Sequence, residues 1–461
     1  MSTQQTSQAS AATGAHLRRA LSLWDLILYG VIVIQPTAPM SVFGVLSNRG
    51  HGHVVTTILL AMVAMFFTAI SYGRMARAYP SAGSAFTYVG QEINPALGYV
   101  TGWSMVMDYM LNPMICIIWC SKAAMNFAPG VPYIVWALFF FGMFTLLNLR
   151  GIRTSARINA ALAAGMGVVI TIFFVAAARY IFGHPHNDAG FFTRPFYDPS
   201  SFSAGAVLGG TSIAVLTYIG FDGISTLSEE ARDPRRDILL ATVLTCVVIG
   251  VLSAMQVYAA QLVWPASQPF PDEDTAFVHV SGRAAGPWLF ALINFTLMIA
   301  NFGSGMGAQL GAGRLLYGMG RSNALPRSFF GAVHPRTHIP YKSIIFVGVV
   351  ALGGALLVSV GVFSFGLGAE MLNFGALIAF MGVNAAAFVR YFVRAREKNI
   401  ITNLIPPVLG FVICLLLWLN LSRPAKIAGA IWMAVGIAFG AWKTRGFRGD
   451  LVDFELPPED A

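Results

Sequence analysis

Residues 217–236 read TYIGFDGISTLSEEARDPRR, and their first half continues a long apolar segment. Gly220 and Gly223 interrupt this segment near its middle and flank a carboxylate, Asp222. Lipid offers no hydrogen bonds to free N–H and C=O groups and disfavours charge, so a lipid-exposed helix tolerates neither feature at that depth. The stretch therefore predicts a broken membrane helix whose interruption faces a cavity or other parts of the protein.

The composition of the whole chain agrees with a membrane protein. Of its 461 residues, 56% are hydrophobic and 11% are charged, whereas a soluble domain carries about 25% charged residues. The formal charge of +9 does not indicate nucleic-acid binding, because the basic residues form no polar domain. They separate apolar segments instead, as orientation signals do.

Twelve apolar segments are long enough to cross a membrane, since one crossing needs about 20 residues. They comprise residues 22–47, 54–73, 97–125, 132–149, 158–181, 204–228, 238–264, 286–312, 343–366, 368–389, 404–421 and 427–442. If the N-terminus is cytoplasmic, 22 of the 29 lysines and arginines fall on the cytoplasmic side. This excess predicts that both termini lie in the cytoplasm.

A second interruption occurs in the first segment, where residues 30–44 read GVIVIQPTAPMSVFG. Pro36 and Pro39 lack an N–H and clash with the preceding turn, and polar Gln35 and Thr37 lie beside them. The two interruptions are five segments apart. Because five is odd, a five-helix repeat has its second copy inverted, and such repeats hold a small-molecule site at their interface. The alternative is that each interruption merely kinks a helix.

Polar and aromatic residues at the two interruptions, and in the third and tenth segments, are candidates for that site. The candidate substrate-binding residues are Gln35, Thr37, Ala38, Asp108, Asn112, Tyr218, Gly220, Phe221, Asp222 and Asn373. Asp108 and Asp222 are also candidate coupling groups, since a carboxylate in a membrane costs several kcal/mol unless it pairs or takes up a proton. Structural alternatives are that Asp222 caps local N–H groups and that Asp108 pairs with a neighbouring helix. Glu229 and Glu230, followed by three arginines, form either a gating network or a solvated loop.

Enzyme and channel chemistry lack their usual signals. The four cysteines all fall in predicted spans, which argues against a disulfide framework. No histidine lies in a span, so we expect no metal, no cofactor and no catalytic cluster. A channel needs a continuous polar stripe or a filter ring, and none is evident in the sequence.

Several motifs resemble the amino acid–polyamine–organocation superfamily, with the closest likeness to bacterial putrescine importers and related permeases. They are YIGFDGISTLSEEARDPRRDI (218–238), FTAISYGRMARAYPSAGSAFTYV (67–89), GWSMVMDYMLNPM (102–114), GAGRLLYGMGRSNALP (311–326) and NFGALIAF (373–380). The resemblance implies two inverted five-helix repeats, spans 1–5 and 6–10, plus two additional helices. It also implies alternating access around a site supplied by the interrupted spans 1 and 6.

The first interruption departs from one branch of this superfamily. Amino-acid transporters of the superfamily usually have a glycine-rich break whose N–H groups bind the substrate carboxylate. Here the stretch is IQPTAP, which has no glycine and loses two N–H groups to proline. Putrescine importers also have proline at this break, with an acidic residue a few positions later, where this sequence has Ser41.

Together these features predict an all-α membrane protein that takes up an amine-bearing amino acid or polyamine by proton or ion coupling. An exchanger of the same fold is the alternative, and a channel is a weaker one. The expected partners are the substrate, the coupling proton or ion and the lipid bilayer, without nucleic acid. The predicted domains are a disordered cytoplasmic tail (1–20), a transmembrane transporter domain (21–443) and a cytoplasmic C-terminal tail (444–461), in the inner (plasma) membrane.

Overall fold

The computed structural model describes residues 21–79, 84–151, 156–184, 190–227, 231–321, 325–334, 339–395, 399–444 and 446. The predicted N-terminal tail, most of the C-terminal tail and the pair Glu229 and Glu230 lie outside these residues. In chain order the α-helices are α1 (Leu23–Ile34), α2 (Ala38–Arg49), α3 (Val54–Ala78), α4 (Ser84–Glu92), α5 (Pro95–Phe127), α6 (Tyr133–Leu149), α7 (Ala156–Gly183), α8 (Ala204–Ala214), α9 (Pro234–Val263), α10 (Ala276–Ala285), α11 (Pro287–Arg321), α12 (Arg327–Phe330), α13 (Tyr341–Ser359), α14 (Phe365–Phe388), α15 (Ile405–Leu419) and α16 (Arg423–Lys443).

Ten helical elements are long and apolar enough to cross a membrane, and the pair α1 and α2, bent by 48°, makes up to eleven. Helix α6 has 17 residues and is a shorter apolar helix. Each of the twelve predicted segments overlaps helical structure, and no β-strand occurs in the described part of the chain. The fold is therefore all-helical, as the sequence predicts.

Some boundaries differ from the prediction for local reasons. Helix α13 ends at Ser359 rather than near residue 366, because Gly361 adopts a positive φ of 72° and Ser364 caps the start of α14. Helix α11 continues nine residues beyond the predicted end at residue 312, since no proline stops it before Arg321. Two short helices, α4 and α10, were not predicted, because they are too short to register as spans.

The first interruption separates α1 from α2 at residues 35–37. Gln35 has a φ of 67°, a conformation that costs a residue with a Cβ roughly 1–3 kcal/mol. The carbonyl of Pro36, released from helix pairing, accepts a 2.9 Å hydrogen bond from Nε2 of Gln256 on α9. A side chain from another helix thus satisfies part of the irregular backbone, as burial in a membrane protein requires.

The second interruption follows α8 through two 3₁₀ segments, Val215–Tyr218 and Phe221–Leu227. Gly220, between them, has a φ of 114°, and a Cβ built there would lie 3.0 Å from Cγ1 of Val33 and 3.5 Å from Cγ1 of Ile34. Glycine is required here both by the backbone and by the close approach. The end of α1 therefore packs directly on the second interruption, so the two breaks meet at one place.

Ion pairs at the helix ends include two groups that join distant parts of the chain. At one end, the buried carboxylate of Glu92 binds Arg390 and Arg394, which lie in the π-helical continuation of α14 (Val389–Arg394). Another group joins Lys122 of α5 to Asp272 at 3.0 Å and Asp274 at 3.7 Å, in the segment before α10. The Glu92 pairs join α4 to the continuation of α14, and the Lys122 pairs join α5 to the segment before α10.

A reciprocal tryptophan pair holds α16 against α5. The rings of Trp103 and Trp432 stack with centroids 4.7 Å apart. Each indole N–H donates to the backbone carbonyl of the other tryptophan, at 2.8 and 3.0 Å. Gly436 lies against the Trp103 ring, where a Cβ would approach it within 2.2 Å. The last helix is thus fixed to the third predicted span.

Candidate functional site

A cavity of about 510 Å³ lies where the two interruptions meet. Its walls come from both broken spans and from α5, α7 and α11, with Phe365 from the start of α14. Most of the lining is aliphatic, and the polar groups are few. A concave, largely apolar site with a few polar groups is typical of small-molecule binding.

Six of the ten predicted site residues line this cavity. They are Gln35, Ala38, Asp108, Asn112, Gly220 and Asp222. Asp108 and Asn112 lie one turn apart on α5 and so face the same way. Asp222 comes from the 3₁₀ segment after the second interruption. The interruptions and α5 therefore bring the two predicted carboxylates to one cavity.

The other four predicted residues do not line the cavity. Thr37 is buried with its hydroxyl 3.8 Å from the sulfur of Met166. The hydroxyl of Tyr218 donates to the carbonyl of Ile58, and Nδ2 of Asn373 donates to the carbonyl of Ser212. The Phe221 ring packs on Tyr72 and Phe380. In this structure the four hold the surrounding helices together.

Other polar residues of the cavity were not predicted as site residues. Ser41, Tyr109, Asn301 and Ser304 line it, as does the thiol-bearing Cys116. Nδ2 of Asn301 donates to Oγ of Ser41 at 3.0 Å, so α11 and α2 are joined beside the cavity. Gln35 Nε2 donates to the carbonyl of Ala300 at 2.7 Å on the same helix, α11. The sequence signal for this wall is the pair Asn301 and Ser304 on α11.

The cavity holds two carboxyl groups. Asp108 and Asp222 are each 8% exposed, and no lysine, arginine or histidine lies among the lining residues. The backbone N–H groups of residues 220, 222 and 223 lie against the Asp222 carboxylate. Asp222 therefore caps the interruption and also faces the cavity, so the structural and the binding interpretations of this residue are compatible.

Backbone donors for an anion are scarce at the first interruption. The N–H groups of Ala38 and Met40 already donate to the carbonyls of Gln35 and Thr37, both at 3.0 Å, and Pro39 has no N–H. At the second interruption the N–H of Gly223 donates to the carbonyl of Gly220. The C-terminal end of α1, with its partial negative charge, also lies here. The N-terminal end of α2, with its partial positive charge, lines the same cavity at Ala38. The two acids, rather than the backbone, therefore favour a cationic ligand.

The described residues include no group of three or more His, Cys, Asp or Glu side chains that could hold a metal ion.

Comparisons with known proteins agree with this architecture. Residues 37–441 match the family described as Amino acid permease. Over 447 residues, 95% of this chain and 96% of the relative, the sequence is 33% identical to the low-affinity putrescine importer PlaP of Escherichia coli. It is 25% identical to the branched-chain amino acid permease BcaP of Bacillus subtilis, covering 91% of this chain and 92% of the relative. It is 26% identical, with the same coverage, to the methylthioribose transporter of Bacillus subtilis.

Proposed function

The chain belongs to the amino acid permease family of multi-pass membrane transporters, and on that premise we propose that it is a secondary active transporter for the uptake of an amine-bearing substrate. The proposed substrates are polyamines and cationic amino acids, carried across the inner membrane. We further propose twelve spans, organised as two inverted five-helix repeats and two additional helices, with α6 as the fourth span. Alternating access then takes place around the cavity between the two interruptions.

The observation that carries this proposal is the pair Asp108 and Asp222 in a cavity without a basic residue. An ammonium about 4 Å from a carboxylate gains about 4 kcal/mol at an effective dielectric constant near 20, before desolvation is subtracted. A second ammonium has a second carboxylate available. An acidic substrate such as glutamate, in contrast, brings a net negative charge to two carboxyl groups and few free N–H groups.

The similarity to an importer of putrescine, a diamine, also supports an amine-bearing substrate. The similarity to a branched-chain amino acid permease shows that neutral amino acids belong in any test of this chain. Asp108 and Asp222 are also the proposed coupling groups. A buried carboxyl group without a cationic partner is stabilised by a proton, so either acid is able to carry the coupling proton.

The decisive experiment is uptake of radiolabelled amines and amino acids by proteoliposomes with imposed proton or sodium gradients. We expect accumulation of putrescine or lysine, competition by other amines and little competition by glutamate. Asp108→Asn and Asp222→Asn should each reduce gradient-driven accumulation at least tenfold, the equivalent of about 1.4 kcal/mol.

Asp237→Asn is the matched control, because Asp237 lies in the first turn of α9 and does not line the cavity. It should transport like the unmodified protein. Accumulation by both cavity variants under a pH gradient would show that neither acid is the coupling group. Strong competition by glutamate without any by putrescine, lysine or neutral amino acids would contradict the proposed substrate charge. Uptake that depends on internal substrate would indicate an exchanger.

A further inference from the structure

A second cavity, of about 480 Å³, lies away from the proposed transport site. Its walls are the C-terminal end of α2, the first turn of α8 and the segment that joins α15 to α16. Its lining is mostly polar and contains no carboxylate. Two cationic side chains, Arg49 and Lys426, line it from different helices.

Both cations are held in place by the protein. Nε of Arg49 lies 3.3 Å from Oε1 of Glu370, whose side chain is 6% exposed. The other oxygen of Glu370 accepts a 3.0 Å hydrogen bond from the N–H of Ser422, the residue that caps α16. Nζ of Lys426 donates to the carbonyl of Leu419 at 2.9 Å. Prior ordering of both side chains lowers the entropy cost of binding an anion between them.

The remaining donors suit an oxyanion with several oxygens. The amide side chains of Asn48 and Asn420 line the same cavity. Gly205 and Ala206 also line it, and they belong to the first turn of α8, whose N–H groups have no partner within the helix. Arginine supplies a planar donor fork that matches phosphate, and lysine supplies a point charge. A phosphate group uses all these donors at once, whereas a halide uses few of them.

The surroundings of the cavity suit a lipid. Leu419 lines it and is 50% exposed, while Phe202 and Ile427, adjacent to lining residues in sequence, are 47% and 61% exposed. The cavity lies at helix ends, where aqueous and apolar surfaces of a membrane protein meet. We propose that this cavity binds the phosphate group of an anionic phospholipid, whose acyl chains lie along the adjacent apolar surface.

Phosphatidylglycerol is the test lipid, added to the full-length protein in neutral detergent, and its retention is measured by native mass spectrometry. Lys426→Gln should lower the retained fraction about fivefold, the effect of one basic residue at a membrane surface. Arg423→Gln is the matched control, because Arg423 lies three residues earlier on the same helix and does not line the cavity. It should retain lipid like the unmodified protein.

Arg49→Lys tests the second cation while keeping a positive charge beside Glu370, so that the buried acid keeps a partner. It should weaken retention, since lysine cannot form the planar fork. The melting temperature is then measured with increasing inorganic phosphate and with increasing phosphatidylglycerol. This comparison distinguishes a free phosphate from a lipid headgroup as the ligand. Stabilisation by phosphatidylglycerol alone assigns the cavity to the lipid, and stabilisation by both assigns it to the phosphate group itself. Equal retention by all variants, or equal losses in Lys426→Gln and Arg423→Gln, overturns the proposal.

Discussion

At the scale of single residues, Asp108 and Asp222 are the two acidic groups of the cavity between the interruptions. Asp108 and Asp222 could be predicted because a carboxylate in an apolar span is costly wherever it points. Thr37 and Tyr218 were predicted by position alone, yet they turn away from the cavity that Gln35 and Ala38 line. Successive side chains of a helix point about 100° apart around its axis. After an interruption, that regular spacing no longer gives the direction of the next side chains. Side-chain direction near a break therefore follows from packing rather than from spacing.

Cys116 offers a test of the cavity's charge that does not require a known substrate. Its thiol lines the cavity and lies 3.4 Å from Oδ1 of Asn112. We expect 2-aminoethyl methanethiosulfonate, a cation, to inactivate transport at least about tenfold faster than the anionic 2-sulfonatoethyl reagent, since the two acids concentrate cations there. The rate of inactivation measures the effect, and substrate should slow it.

Cys116→Ala should resist both reagents. Cys120→Ala is the matched control, since Cys120 lies one turn further along α5 and does not line the cavity. It should remain sensitive. Faster reaction with the anionic reagent would mean that the cavity does not attract cations.

At the scale of helices and interruptions, proline and glycine made both breaks predictable. The prediction could not include the 3₁₀ geometry after α8, the π-helical continuation of α14 or the short helices α4 and α10. Each depends on contacts between distant segments, such as the Glu92 pairs with Arg390 and Arg394. Asn301 and Ser304 are the sequence signal for the cavity wall on α11, whereas the glycines of that helix look like ordinary helix-packing residues.

Two of those glycines define the room inside the cavity. Gly303 and Gly307 both line it, and a Cβ built at either would have no atom within 4 Å. Alanine at either position should fold normally, because it favours the helix and clashes with nothing. The added methyl occupies space that a large substrate needs. We expect KM for longer or branched amines to rise about tenfold, the effect of modest overpacking, with KM for small amines little changed.

Gly318→Ala controls for the substitution itself. Gly318 lies on the same helix with the same free space around its Cα, but it does not line the cavity. The Gly318→Ala variant should have the same KM as the unmodified protein for every amine. A uniform loss across amine sizes in Gly303→Ala and Gly307→Ala would mean that these positions affect the conformational cycle rather than the fit of the substrate.

At the scale of the whole molecule, the charge pattern predicted which groups share an end of the bundle. Residues predicted to be external come together, as Lys122 does with the segment before α10 and Arg49 does with Lys426. Arg390 and Arg394, predicted to be cytoplasmic, meet at Glu92. Which of the two ends faces the cytoplasm stays a prediction: we expect loop 313–342 to be cytoplasmic and loop 265–285 to be external. Labelling of single cysteines with an impermeant reagent on intact cells checks it, and labelling of the first loop but not the second would contradict it.

Asp274, in the segment before α10, makes the stability of the protein depend on pH. Burial raises the pKa of Asp274 to about 6, with Asp272 adding to the shift and Lys122 opposing it. A carboxyl whose pKa is higher in the folded than in the unfolded state stabilises the fold at low pH. That contribution is lost as the pH rises through about 6.

Asp274→Asn should therefore resemble the unmodified protein near pH 4 and become the more stable of the two above pH 7. The shift of about two pKa units corresponds to at most about 3 kcal/mol. Melting temperatures of both proteins across this range, in the same detergent, provide the measurement. A variant that is less stable than the unmodified protein at pH 8 would show that the ion pair with Lys122 outweighs the burial of Asp274.

The reciprocal tryptophan pair has a consequence for the order of synthesis. Trp103 and Trp432 are 329 residues apart in the chain. At about 5–20 residues per second, the ribosome needs roughly 15–65 s to make the second tryptophan after the first. During that interval the Trp103 indole has no partner, and α5, which carries Asp108, lacks one of its neighbours. The central helix of the transport site therefore reaches its final packing only after translation has nearly ended, so a ribosome that stops before α16 leaves a membrane-inserted but incomplete product.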